Sequence, residues 1–159
     1  MPKQIPCLWF DGQAEQAAAH YTAIFPNSSV DEVTRYGPSM PAVEGTVMTV
    51  SFTLDGQEYT ALNGGPEFRF TEAISFQIMC KDQEEADHYW NRLLEGGEES
   101  MCGWLKDKFG VSWQVFPTEL LSLVQDPDPG RARRATDAML SMRRIDIAKI
   151  RQAADTVHA

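Results

Sequence analysis

Four short runs of this sequence place residues able to do chemistry at every second position: Cys7 and Trp9, Glu58 and Thr60, Ser75 and Gln77, Ser112 and Gln114. In an extended strand, residues two apart share a face. The other face of these runs carries Leu8 and Phe10, Ile74, Phe76 and Ile78, and Val111, Trp113 and Val115, apolar enough to pack under helices. One apolar and one mixed polar face suit a small-molecule cavity. Trp9 would be its flat wall, and the amides of Gln77 and Gln114 would supply directed hydrogen bonds. A seam between two copies of the chain is the alternative reading of the same pattern.

Other chemistries find less material. Cys7 as a nucleophile would need a nearby base, and no histidine stands on these strands. His20 and His88 fall inside helical stretches, and His158 lies near the end. No G-x-S-x-G, P-loop or H-E-x-x-H spacing occurs. Cys7, Cys80 and Cys102 are odd in number and lack CxxC spacing, which favours reduced thiols over a disulfide or zinc site. With 23 acidic against 14 basic residues, the net charge of −9 repels phosphate backbones and argues against a nucleic-acid partner. Arg131, Arg133, Arg134, Arg143 and Arg144 read as a solvated helix face. Apolar stretches are far shorter than the roughly 20 residues a membrane span needs. The opening Met-Pro-Lys-Gln-Ile-Pro lacks the pattern of a signal peptide, so a cytoplasmic location is expected.

The elements that must position these residues follow from periodicity. At 159 residues the chain is one domain or two fused small repeats. Residues 5–10 read as a buried strand and 14–25 as an Ala-rich helix, followed by a strand over 30–36 and a Pro/Gly loop over 37–45. Residues 46–54 alternate, Asp55-Gly56 is a two-residue hairpin turn, and 57–62 return as its partner strand. The plan then repeats: a strand over 73–80, a helix capped by Asp82 and closed at Gly96-Gly97, a strand over 102–106, a turn at Asp107–Gly110, and a closing strand over 111–116 that Pro117 breaks. Ala18-Ala19-His20-Tyr21 and Ala86-Asp87-His88-Tyr89 share A-x-H-Y, and the same displacement carries Cys7 to Ser75 and Trp9 to Gln77. Beyond 117, Thr118 caps a short helix, Asp128-Pro129 opens a second striped by Ala135, Met139 and Met142, and Asp146 caps a third holding Ile150, Ala153 and Val157. This divides the chain into a paired βαβββ domain over 1–117, with repeats at about 5–66 and 73–117, and a helical appendage over 118–159.

Two βαβββ units resemble the glyoxalase, or vicinal oxygen chelate, superfamily. Within it the chain is similar to the PhnB-like family labelled 3-demethylubiquinone-9 3-methyltransferase. The residues carrying that match are Leu8-Trp9-Phe10-Asp11-Gly12, Ile24-Phe25-Pro26-Asn27-Ser28, Ala61-Leu62-Asn63-Gly64-Gly65-Pro66, Ser75-Phe76, and Cys102-Gly103-Trp104-Leu105-Lys106-Asp107-Lys108-Phe109-Gly110 with Val111-Ser112-Trp113-Gln114. The resemblance implies an α+β fold of two curved mixed sheets with helices outside, and a homodimer. It implies a metal site drawn from the first and last strand of each repeat, which falls on Cys7, Thr60, Ser75 and Gln114, Thr60 being matched to Gln114 by the displacement of 54 between the turn glycines Gly56 and Gly110. That set holds no imidazole and no carboxylate, so a standard metal site is not expected. Three functions stay open: a module binding a small organic ligand without cofactor, a metal-assisted lyase, isomerase or dioxygenase-type enzyme with Glu58 as base and metal at Glu58 and Gln114, and a scaffold docking a partner through its C-terminal helices. The methyltransferase label fits poorly, because no Gly-rich strand-to-helix turn suited to S-adenosylmethionine is present.

Overall fold

The computed structural model describes residues 3–157. His158 lies outside the described residues. They form two compact units that meet in sequence between Phe70 and Thr71.

The first unit contains β1 (Cys7–Phe10), α1 (Ala14–Ile24), β2 (Ser29–Arg35), β3 (Val47–Leu54) and β4 (Gln57–Asn63). Its sheet has the order β1-β4-β3-β2, with β1 parallel to β4 and the other pairs antiparallel. Asp55 (φ 46) and Gly56 (φ 87) make the expected two-residue turn, with Leu54 opposite Gln57. Alternation then buries Val50, Phe52, Leu54, Tyr59 and Ala61, the side to which α1 contributes Ala14, Ala17, Ala18, Tyr21 and Ile24.

The second unit repeats this plan with β5 (Ser75–Cys80), α2 (Gln83–Leu94), β6 (Glu98–Glu99), β7 (Trp104–Lys106) and β8 (Ser112–Pro117). Its order, β5-β8-β7-β6, is that of the first sheet, and β5 is parallel to β8. The βαβββ repeat and the mixed sheets of a glyoxalase-like α+β fold are therefore present. Three further helices, α3 (Glu119–Val124), α4 (Pro129–Leu140) and α5 (Ile147–Asp155), belong to this unit. Phe116 joins Leu120, Leu123, Ala135, Ile145, Ile147, Ile150 and Ala154 in one buried cluster. Polar ties fasten these helices to α2. Asp87 takes a two-pronged ion pair from Arg144 at 2.7 and 2.8 Å, and Gln83 bonds the backbone of both Ile145 and Ile147.

Several expectations need correction. Pro117 does not break β8 but ends it, opposite Cys80. The pairing of β7 to β8 stops at Gln114, so a missing N–H at Pro117 deprives no ladder partner on that side. Thr118 precedes α3 in helical conformation and makes no side-chain cap, whereas Asp82, Asp128 and Asp146 all cap as expected. Val157 lies past α5 and is 76% exposed; the buried side of that helix is Ile147, Ile150 and Ala154. Ile74 precedes β5 and is exposed, so it does not join the apolar face. The two-residue strand β6 had no counterpart in the periodicity.

The turn between β7 and β8 is held by one buried carboxylate. Asp107 Oδ1 accepts from the backbone N–H groups of Phe109 and Val111 at 2.9 and 3.0 Å, and Oδ2 accepts from the Trp113 indole N–H at 2.9 Å. The close pass behind it needs a glycine: a Cβ on Gly97 would lie 2.1 Å from the Lys106 carbonyl oxygen. Asp107→Ala removes the carboxylate that accepts from two buried donors and one part-buried donor, and urea unfolding should show a loss of about 3 kcal/mol. Cys80 is fully buried, and desolvation, the largest cause, together with the nearby Glu85 carboxylate, pushes its thiol up to about 12. Maleimide at neutral pH should therefore label exposed Cys7 in the folded protein and Cys80 only on unfolding, as peptide mapping would show.

Candidate functional site

On the first sheet, Cys7 lies beside Thr60 and Trp9 beside Leu62, with Ser51 and Thr49 next across β4. The expected cavity wall is already in contact here. The Trp9 indole N–H donates to the Gly65 carbonyl at 2.8 Å, its ring meets Phe68 edge-on at 4.9 Å, and a Cβ on Gly64 would lie 2.3 Å from it. Glu58 is paired with Lys3, its two oxygens 2.8 and 2.7 Å from the ammonium. Burial raises the Cys7 thiol above its ordinary value, away from the thiolate a nucleophile needs.

The turn after β4 is organised by Asn63, which the sequence pattern did not single out. Its Oδ1 caps α1 by accepting from Ala14 N–H at 2.9 Å, replacing the absent cap at Gln13. Its Nδ2 donates to the Val47 carbonyl, and its own carbonyl accepts from the Tyr36 hydroxyl. An open cleft of about 400 Å³ lies beside it, reached by Asp11, Glu15, Tyr36 and Met40. The Asn63 amide and the Tyr36 hydroxyl there already have partners.

The second sheet brings three expected residues together. Ser75 pairs with Ser112, and Gln77 with Gln114, in the parallel β5–β8 ladder. Gln114 Nε2 donates to Ser75 Oγ at 2.8 Å, and Gln77 Nε2 donates to Gln114 Oε1 at 3.3 Å. The antiparallel β7–β8 ladder continues the same face with Trp104 opposite Gln114 and Lys106 opposite Ser112, and Glu98 on β6 stands opposite Lys106. A cavity of about 130 Å³ is lined by Glu72, Glu98, Ser100, Trp104, Lys106 and Ser112, and the expected residues Ser75, Gln77 and Gln114 are not on its wall. Glu72 and Lys106 form an ion pair on its wall, and their hydrogen bond lowers the carboxyl and raises the ammonium from their usual values. Ser112 is 2% exposed, and its Oγ makes no hydrogen bond with any described residue. Trp104, Lys106 and Glu98 were not among the expected lining. The signal was present in the alternation of Trp104 and Lys106, but it depends on a five-residue turn over 107–111.

That turn also shifts the correspondence between repeats. With the first strands aligned, Cys7 to Ser75, the ladders make Ser112 the mate of Thr60 and Leu62 the mate of Gln114. The expected match of Thr60 with Gln114, taken from the two turns, is two places out. The first hairpin closes through two residues and the second through five.

The donor set does not suit the metal that the superfamily implies. Ser75 and Gln114 are bonded to each other, Thr60 and Cys7 add a hydroxyl and a thiol whose pKa is raised, and Glu58 is engaged by Lys3. Among the described residues, no three His, Cys, Asp or Glu side chains converge as a metal site. His20 and His88 sit on α1 and α2, each against the tyrosine that follows it.

A family model described as 3-demethylubiquinone-9 3-methyltransferase matches residues 2–116. Among solved structures, the chain is similar to a putative 3-demethylubiquinone-9 3-methyltransferase, PhnB protein, from Bacillus cereus. The two are 37% identical, the match covers 71% of this chain and 97% of that one, and the TM-score is 0.64. Protein PA1353 from Pseudomonas aeruginosa shares the fold at 19% identity and a TM-score of 0.56, over 71% of this chain and 95% of that one. No curated protein matches the chain. No helix among the described residues is long and apolar enough to cross a membrane.

Proposed function

Because the chain belongs to the PhnB-like family described as 3-demethylubiquinone-9 3-methyltransferase, we propose that it binds a small organic ligand on the polar face of its second sheet, without a standard metal site. The observation that supports this reading is the hydrogen-bonded series Gln77–Gln114–Ser75 on the polar face of the β5–β8 ladder. Amides fixed by one another present their remaining donor and acceptor positions in set directions, which is how a polar ligand is oriented. The methyltransferase description asks for more than the chain offers. β1 passes to α1 through Asp11-Gly12-Gln13, and β5 to α2 through Lys81-Asp82, neither of them a glycine-rich cradle for a nucleoside cofactor.

A fragment screen read by NMR should find compounds that shift the Gln114 and Trp104 resonances. Gln114→Leu should abolish that binding. Its cost to stability should stay below about 1 kcal/mol, because Ser75 and Gln77 are open enough for water to replace the lost amide. Retained binding in Gln114→Leu would place the ligand site elsewhere. We also propose a homodimer, supported by Val30 and Val33, 48% and 45% exposed on the edge strand β2. Light scattering at micromolar concentration should give twice 17.8 kDa.

A further inference from the structure

We propose that the Asn63–Gly64 peptide is a spontaneous modification site, held shut in the folded first unit. Opening of the β1–β4 ladder converts Asn63 there to aspartate or isoaspartate, and the converted unit does not close again. The chain has three asparagines, Asn27, Asn63 and Asn91, and only Asn63 is followed by glycine. A glycine nitrogen has no Cβ beside it to keep it from the asparagine Cγ. Once solvent base removes its proton, the Gly64 nitrogen can attack Asn63 Cγ. The new N–C bond closes a cyclic succinimide, and Nδ2 leaves as ammonia. Water then opens the ring at either carbonyl. One product is aspartate; the other is isoaspartate, in which the main chain runs through the former side chain. Base and water are the only reagents needed, and the cleft of about 400 Å³ lined by Asn63, Gly64 and Gly65 admits both.

The folded unit withholds each participant. The Gly64 N–H donates to the Phe10 carbonyl at 3.0 Å, which engages the proton that must leave and turns the nitrogen toward β1. The Asn63 amide is fixed at both ends: Oδ1 accepts from Ala14 N–H at 2.9 Å, and Nδ2 donates to the Val47 carbonyl at 3.1 Å. The Tyr36 hydroxyl holds the Asn63 carbonyl. The same contacts explain why so labile a pair stands here. Ala14 needs an acceptor and Val47 a donor, and the two ends of a carboxamide serve both. Gly64 is needed because a Cβ there would lie 2.3 Å from the Trp9 ring. β1, four residues long at the edge of its sheet, is the strand whose departure frees the Gly64 nitrogen. Conversion then spoils closure. Aspartate at neutral pH sets a carboxylate oxygen against the Val47 carbonyl, two acceptors with no proton between them. Isoaspartate lengthens the main chain by a methylene where Gly64 has no room beside Trp9.

The test incubates the full chain in mildly alkaline buffer, folded or in urea, and follows the mass gain of amide-to-acid conversion by peptide mapping. In urea, Asn63 should convert before Asn27 and Asn91. In the folded chain its rate should fall at least about a hundredfold. Tyr36→Phe should raise the folded rate about twofold to tenfold and leave the urea rate unchanged. Asn63→Asp should lower the melting temperature by roughly 3–8 °C. Asn27→Asp is the control and should leave it in place, since Asn27 is exposed at φ 49 and aspartate tolerates that backbone too. Chains converted in urea and returned to buffer should also melt early. Earlier conversion of Asn27 or Asn91 in urea, or equal Asn63 rates in folded and unfolded chain, would overturn the site. An unchanged folded rate in Tyr36→Phe would overturn the guard. A wild-type melt in Asn63→Asp and in the converted chains would overturn the failure to close.

Discussion

A carboxylate without water must be surrounded by donors, and Asp107 meets that requirement within a single turn. Its two oxygens take the N–H groups of Phe109 and Val111 and the indole of Trp113. Turn and strand are thereby locked in one register, because Trp113 cannot shift along β8 without abandoning the carboxylate. Register decides everything on that face: a one-residue slip would turn Ser112 and Gln114 into the core and expose Trp113 and Val115. The placement of the polar face is thus an electrostatic consequence of one residue that itself faces inward.

The first unit solves the same closure with a neutral side chain. Asn63 both donates and accepts, tying the end of β4 to the start of α1 and to β3. The glycine after it lets the chain fold down on Trp9, whose indole donates to the Gly65 carbonyl. Two repeats with the same strand order therefore differ in what their polar faces carry. In one, Trp9 is packed by the turn that follows β4, and in the other, Gln77 and Gln114 are bonded to each other.

Much of this was legible wherever information is local. Asp55-Gly56 demands a two-residue hairpin, and alternation along β3 and β4 assigns their faces. The A-x-H-Y pair exposes the repeat. Ser75, Gln77 and Gln114 are read as sharing a face for the same reason. The rest depends on contacts between distant positions. The ion pair of Lys3 with Glu58 and the capping of α1 by Asn63 leave no periodic trace. The second turn is set by where a carboxylate finds donors rather than by a turn dipeptide, so counting from Gly110 misplaced the match between repeats. The isolation of Ser112 Oγ is a property of its neighbours, and composition cannot report it.

The pairing of first strand with last has a kinetic side. β1 meets β4, and β5 meets β8, so each sheet is sealed by the contact between the first and last strand of its βαβββ repeat. The β3–β4 hairpin needs only a two-residue loop and can form within microseconds, whereas the sealing ladder must first overcome the closure entropy of a long loop. Such high contact order places folding in the slow range, roughly milliseconds to seconds. Until that ladder forms, β1 and β5 are unpaired strands with a bare hydrogen-bonding edge, and the interval before sealing is when one chain is most exposed to pairing with another.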